Sequence, residues 1–475
     1  MFFTSNYFII FLTISVCVYW LLPKRHFIQN LFLICSSLTF YCYYEFQYVI
    51  ILLAITNFAF FYSPLITKAK TEINKKILLV GGLAFYIGFL FYFKYLNFFG
   101  NIFNDVATLS GHHSLFNFVQ IALPLGLSFY TLHMIGYTID MYYESIDPVK
   151  NYNDFMASAL FFPAISSGPI ERQNHIGPQF IADRKFSFKM FEDGLNQIFY
   201  GVFKKVVIAD SLSTMVDYVY AKHTTLPTSA ILIGLVAYSI QLYFDFSGYS
   251  DIAIGLGKLF GIKLMTNFKY PYFSTSMAAL WRRWHISLTT WIMTYIFNPI
   301  SFEYRKKKKV GIFYAALVAF LISGLWHGAN WTFVIWGLLH GTIIGFELVT
   351  LQNRTMLSKR IPTRLYNFFS GVITFIVWTL ILTIFRSPTL LDTLNIYKSL
   401  IHSSWLFLSP GFSLWYILLA TIIIIIEWFR REKEYGLKVD TLPIFFRFSI
   451  YLLLIIVSIN SENFYHNKAF LYFNY

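Results

Sequence analysis

Two histidines, His285 in AALWRRWHISLTTW and His327 in FLISGLWHGANW, sit in short polar islands of a chain that is otherwise nearly all apolar. An ionisable side chain at membrane depth is costly unless it has a partner or a task. Imidazole is also the side chain best matched to proton transfer near neutral pH. Each histidine could instead be a core residue that bonds between helices. Their spacing of about forty residues and their tryptophan flanks favour chemistry. Two aspartates, Asp245 and Asp251, lie six residues apart in a Gly/Ser/Tyr-rich stretch, and Arg282 and Arg283 directly precede the first histidine segment. Arginine's planar fork suits phosphate, so these two arginines could hold the phosphates of a donor; the alternative is plain interface anchoring. The histidines show no metal-ligand spacing such as HExxH. Cys17, Cys35 and Cys42 lie in early apolar segments and offer neither a disulfide framework nor a CxxC site. No metal is expected.

The elements that position these residues must be membrane helices. Hydrophobic residues make up 57% of the chain and charged ones 13%, far below the roughly 25% charged residues of a soluble domain. The net charge of +14 could suggest nucleic acid. However, the basic residues cluster between apolar runs, as anchors against anionic headgroups do, so nucleic acid is not an expected partner. About twelve runs approach bilayer-spanning length, from residues 7–22 to 444–460. The first has no Lys or Arg before it and Lys24 and Arg25 after it, the reverse of a secretory signal. It is expected to be retained with its N-terminus outside. Alternate counting then puts the main basic clusters inside and the chain after about residue 460 outside.

Three stretches fit no simple span. Residues 155–180 are broken by Pro163, Gly168, Pro169 and Pro178, residues 244–273 carry Asp245 and Asp251 among glycines, and residues 274–304 hold His285. Irregular backbone at membrane depth is tolerated only when buried in protein or lining a wet cavity. The expected fold is therefore all-α and polytopic, with 11–12 transmembrane helices plus re-entrant helices around a central funnel or tunnel lined by 168–178 and 244–285. No internal repeat is visible, so one domain is expected over 1–475. Within it, peripheral helices would occupy 1–115, a catalytic core 116–350, C-terminal helices 351–460 and a tail 461–475.

YFDFSGYSDIAIGLGKLFGIKL, NFKYPY, WRRWHISLTTW and GLWHGANW, in that order, resemble the membrane-bound O-acyltransferases. The likeness is to the bacterial branch that serves alginate acetylation, peptidoglycan acetylation and teichoic-acid D-alanylation. LPLGLSFYTLHMIGYTID, FFPAISSGPIER and GVFKKVVIAD add to it, so it covers most of the chain from about residue 120. Residues 1–115 match only in general hydrophobicity. The resemblance implies that His327 is catalytic, with His285 as its motif companion. Gly324, Gly328 and Ala329 would let other groups approach the His327 ring closely, and an apolar setting favours the neutral imidazole that a general base requires. The same resemblance makes Asp245 and Asp251 structural motif members, either helix caps or ion-pair partners for buried Lys or Arg.

The carboxyl end, FLYFNY (470–475), resembles the ends of the same branch, with Asn474-Tyr475 in place of Gln-Phe; a similar motif ends the small partner protein of the D-alanylation system, where the resemblance makes its tyrosine an acyl acceptor, and Tyr472 corresponds to that tyrosine. A hydrophobic tail that merely docks is the alternative. A phenol of pKa about 10 needs a base, which His327 could supply. About ten residues separate the last span from Phe470, and extended chain reaches about 3.3–3.6 Å per residue. The tail can therefore fold back into a central funnel and bring the Tyr472 hydroxyl toward His327.

The resemblance implies a multi-pass protein of a bacterial inner membrane. It would move acetyl from cytoplasmic acetyl-CoA, with no bound cofactor, to an extracytoplasmic polysaccharide through a separate SGNH-type transferase. Its rivals are a lipid acyltransferase or D-alanyl transferase on the same fold, and a transporter or flippase, which usually carries inverted repeats.

Overall fold

The structure is a computed structural model that describes residues 5–471 except 114, 115, 120, 167, 406–413, 440, 441, 462, 467 and 469. Among the described residues there is no strand. Among the described residues, six helices are long and apolar enough to cross a membrane: His26–Lys68, Glu72–Leu109, Thr228–Leu259, Lys309–His327, Trp331–Val349 and Thr363–Arg386. Asn6–Leu21, Trp415–Phe429 and Ile444–Ile459 are shorter apolar helices. His26–Lys68 unites two of the expected runs, joined by the tight turn Phe46–Tyr48.

The chain packs as two compact units. The first comprises residues 3–191 and 257–265. In it the helices Val49–Lys68 and Glu72–Leu90 pack on the buried helix Leu127–Tyr142. Thr138 of the latter bonds the Ser63 hydroxyl at 2.8 Å and the Tyr86 hydroxyl at 3.1 Å. The proline-rich stretch breaks, as its composition predicts, into four short helices: Tyr152–Ala159, Phe162–Ile165, Gln173–Ile176 and Pro178–Ile181. Their freed polar groups need partners. The Arg184 guanidinium donates to Tyr19 Oη at 2.6 Å and to the carbonyl of Gln179 at 2.9 Å, and the buried Glu171 carboxylate accepts the Met265 N–H at 2.6 Å.

The second unit comprises residues 192–256 and 266–475. Its central element is Thr228–Leu259, a single helix of 32 residues. Fully 78% of its most apolar stretch is buried, against 17% for Glu72–Leu109. Here the structure corrects the expectation of irregular backbone from residue 244: the helix continues to Leu259. The glycines that argued for a break serve close packing instead. A Cβ on Gly248 would lie 2.8 Å from the Gly201 carbonyl oxygen, and one on Gly255 would lie 2.6 Å from that of Gly194. Glycines seven residues apart on the helix Phe188–Val202 thus face glycines seven apart on the central helix, and the backbones meet as small-residue membrane seams do. The expected break comes later, after Leu259 and again between the short helices Met277–Trp281 and Ile286–Ile292.

Candidate active site

The glycine seam sets an antiparallel register, 194 opposite 255 and 201 opposite 248. Carried one turn further, it places the next residues of the first helix opposite the Asp245 region. Those residues form a widened π-helical stretch, Phe203–Ala209, a local feature frequent at functional sites. It turns two consecutive lysines onto the central helix. Lys205 Nζ donates to Asp245 Oδ1 and to Asp210 Oδ1, each at 2.7 Å. Lys204 is ion-paired with Asp251 and donates to Ser247 Oγ at 3.0 Å. Gln197 Nε2 completes the Asp251 site at 2.8 Å. All five charged residues of the two lysine clusters are buried, so each carboxylate depends on its lysine, because removing one member of a buried pair leaves an uncompensated charge. Next to them, the buried Glu427 carboxylate accepts the Tyr200 and Tyr243 hydroxyls at 2.7 and 2.6 Å. A small cavity of about 20 Å³ lies among Lys204, Tyr243, Asp251, Asn267 and Glu427.

Asn267 connects this polar layer to His285. Residues 267–270 pair with 283–286 through Ile286 N–H to the Asn267 carbonyl and Lys269 N–H to the Arg283 carbonyl, both 2.9 Å. His285 itself is fully buried and lies in the left-handed region at φ 43°, ψ 53°. Few non-glycine residues adopt that conformation, and those that do cluster at functional sites. Tyr270, in the facing segment, shares it at φ 51°. Asn267 Oδ1 receives the Ser287 hydroxyl at 2.8 Å and its N–H at 3.3 Å, while Nδ2 donates to Ser250 at 3.2 Å. Oδ1 is therefore an acceptor, and the His285 Nδ1 lying 3.1 Å away donates to it. In the neutral ring the lone pair then sits on Nε2.

His327 is held differently. It ends the helix Lys309–His327, and a three-residue turn leads into Trp331–Val349, capped by the Asn330 side chain accepting the Thr332 N–H. The two helices pack closely because Gly324 and Gly337 face carbonyls: a Cβ there would lie 2.3 Å from Phe333 O and 2.4 Å from Phe320 O. The buried His327 ring packs among Trp326, Trp336 and Phe385, with centroids 5.0, 5.0 and 5.3 Å away. Trp326 also packs edge-on against His285 at 5.9 Å, so one indole separates the two histidines.

The chain's last described residues reach the same place. Phe470 is buried, stacked on Tyr249 at 4.7 Å and beside Phe246 at 5.3 Å. Phe246 in turn meets the His285 ring at 4.6 Å. The Leu471 N–H donates to Asp245 Oδ2 at 3.0 Å. Tyr472 lies outside the described residues. Arg282 is exposed and Arg283 half-buried, one turn from the histidine they precede.

Sequence reasoning passed over Lys204, Lys205, Asp210, Asn267 and Glu427. The signal for the lysines was available: two adjacent cations inside an apolar run call for partners as strongly as the histidines do. Asn267 and Glu427 carry no such mark, since isolated polar residues at run ends resemble interface anchors.

The sequence model of the membrane-bound O-acyltransferase family matches residues 148–386, which include the lysine–aspartate clusters and both histidines. A protein of Azotobacter vinelandii named "Probable alginate O-acetylase AlgI" is 38% identical over 70% of this chain and 65% of its own length. A protein of the same name from Pseudomonas aeruginosa is 35% identical over 84% of this chain and 75% of its own. A "Peptidoglycan O-acetyltransferase" of Helicobacter pylori is 30% identical over 82% and 78%. Long apolar helices, a buried histidine pair and these likenesses converge on one assignment: the chain is a multi-pass membrane protein and belongs to the membrane-bound O-acyltransferase family.

Proposed function

We propose that this O-acyltransferase carries acetyl groups from cytoplasmic acetyl-CoA across a bacterial inner membrane for O-acetylation of an extracytoplasmic polysaccharide, peptidoglycan or alginate-like. One observation carries the reading: two buried histidines flank Trp326, and the tail's Phe470 reaches His285 through Phe246. The names of the aligned relatives supply the substrate class. In this reading His327 is the general base. It takes the proton of the Tyr472 hydroxyl as that oxygen attacks the thioester carbonyl, and collapse of the tetrahedral intermediate expels the CoA thiolate. His285, with Nδ1 tied to Asn267, presents Nε2 toward the reacting groups as the positioning partner. Arg282 and Arg283 bind the donor's phosphates. The acetyl-tyrosine then passes its acyl group to a serine of an SGNH-type partner, which esterifies sugar hydroxyls. Covalent relay avoids carrying charged CoA through lipid.

Membranes incubated with radiolabelled acetyl-CoA test this. Wild-type protein acquires a hydroxylamine-sensitive label and Tyr472→Phe does not, although that change keeps the ring. Wild-type acetylation of glycan by the phenylalanine variant would remove the relay. A second reading, transfer of a longer acyl chain, rests on the apolar character of a pocket lined by Trp281, Leu288, Phe320 and Leu348. Label transfer from palmitoyl-CoA in preference to acetyl-CoA would favour it.

A further inference from the structure

The buried cluster around Lys205 does more than neutralise charge within the bundle. We propose that Lys205, Asp210 and Asp245 form a clamp that docks and positions the chain's own C-terminal segment. The inference rests on the tail-relay reading for its purpose but not for its geometry. Lys205 Nζ bridges Asp210 Oδ1 and Asp245 Oδ1 at 2.7 Å each. Each bridged aspartate then holds one point of the tail. Asp245 Oδ2 accepts the Leu471 N–H at 3.0 Å. The Asp210 carbonyl accepts Lys468 Nζ at 3.0 Å, and Ser213 Oγ, one turn on, accepts it at 2.7 Å. Between these two ties Phe470 is 1% exposed, stacked on Tyr249 one turn past Asp245 on the central helix. Asn463 Nδ2 adds an upstream contact to Ser211 Oγ at 2.9 Å.

Charge explains why the tail belongs there. Lys205 faces two carboxylates, and Lys468 brings a further cation to the same cluster when the tail is docked. A carboxylate that accepts a backbone N–H in addition to its lysine is fixed in orientation, and such charge-assisted bonds are the stronger ones. The clamp therefore sets where residue 472, the next in the chain, begins. These are positioning residues: none touches a reacting atom.

Hydrogen exchange of the full-length protein in nanodiscs reads the clamp without reference to catalysis. The Leu471 amide, read from peptides that span it, is protected in the wild type. Asp245→Asn and, separately, Lys468→Ala speed its exchange about tenfold or more, the factor that a hydrogen bond to a charged group commands. Lys468→Ala leaves the Lys205 pairs intact, so it reports even where Asp245→Asn misfolds. Glycan acetylation falls in parallel through kcat, with the KM for acetyl-CoA unchanged. Wild-type exchange in a folded Lys468→Ala protein overturns the clamp. Faster exchange with wild-type acetylation upholds the clamp and removes the tail relay instead.

Discussion

His285 and His327 flank the same indole, yet they are held by different physics. His285 sits in a left-handed backbone conformation, and its ring orientation is set by Asn267, which also binds Ser287 and Ser250. His327 sits at a regular helix end, and three aromatic rings wall its imidazole. A hydrogen-bonded holder fixes the tautomer and direction of one ring; packed rings exclude water and define the space around the other. The difference suits a division of labour in which the first residue orients and the second handles the proton. It also makes the two sites separable by mutation.

The largest effect is expected at His327. His327→Ala removes the proposed base, and general-base catalysis contributes about 10²–10⁴-fold, so glycan O-acetyl content should fall to background while membrane insertion and expression persist. Normal acetylation at wild-type protein levels would reverse the division of labour. Asn267→Ala comes next. It strips the acceptor from His285 Nδ1 and from two Ser287 donors. Buried groups left unsatisfied cost about 1–3 kcal/mol, so thermal stability in detergent should drop and kcat should fall by about tenfold, one such unit of transition-state energy. The double variant Asn267→Ala/His285→Ala should be little worse than either single one; full additivity would mean that Asn267 does not act through the histidine. Phe385→Leu, which opens one wall of the other ring's enclosure, should be milder. Aromatic pairs contribute about 0.5–1.5 kcal/mol beyond burial, and a severalfold loss in kcat should be coupled to His327 and independent of Asn267. Coupling to Asn267 instead would merge the two sites into one.

These contrasts also mark what could be read without coordinates. The histidines announce themselves because an imidazole inside an apolar run is conspicuous, and the family's motifs surround them. The helices Lys309–His327 and Trp331–Val349 follow from apolar runs bounded at 310–326 and 331–349. The central helix was harder. Gly248, Gly255, Asp245 and Asp251 would weaken a helix in water, but inside the bundle the glycines admit a neighbouring backbone and the aspartates meet lysines from it. That compensation is tertiary, and no local pattern encodes it. The role of Asn267 is likewise set by the pairing of two irregular segments some sixteen residues apart. Tyr472, the tail's expected acceptor, lies just beyond Leu471 and outside the described residues.

The smallest structural effect, and the sharpest test of where the donor binds, is expected at Arg282. Its side chain is exposed while His285, three residues on, is fully buried, so the segment passes from surface to core within one turn. Surface substitutions of this kind change stability by within about 0.5 kcal/mol. Arg282→Ala should therefore leave folding, the tail's amide protection and the label on Tyr472 at saturating donor untouched. Donor phosphates lie remote from the thioester and keep their charge through the reaction, so a contact to them binds ground and transition states equally and appears in KM alone. The KM for acetyl-CoA should rise severalfold at unchanged kcat, and the rise should shrink as added salt screens the wild-type contact. Equal KM values at low ionic strength would make Arg282 an interface anchor. The donor's phosphates would then have to be sought among other basic residues, with the histidine pair still the proposed reacting centre.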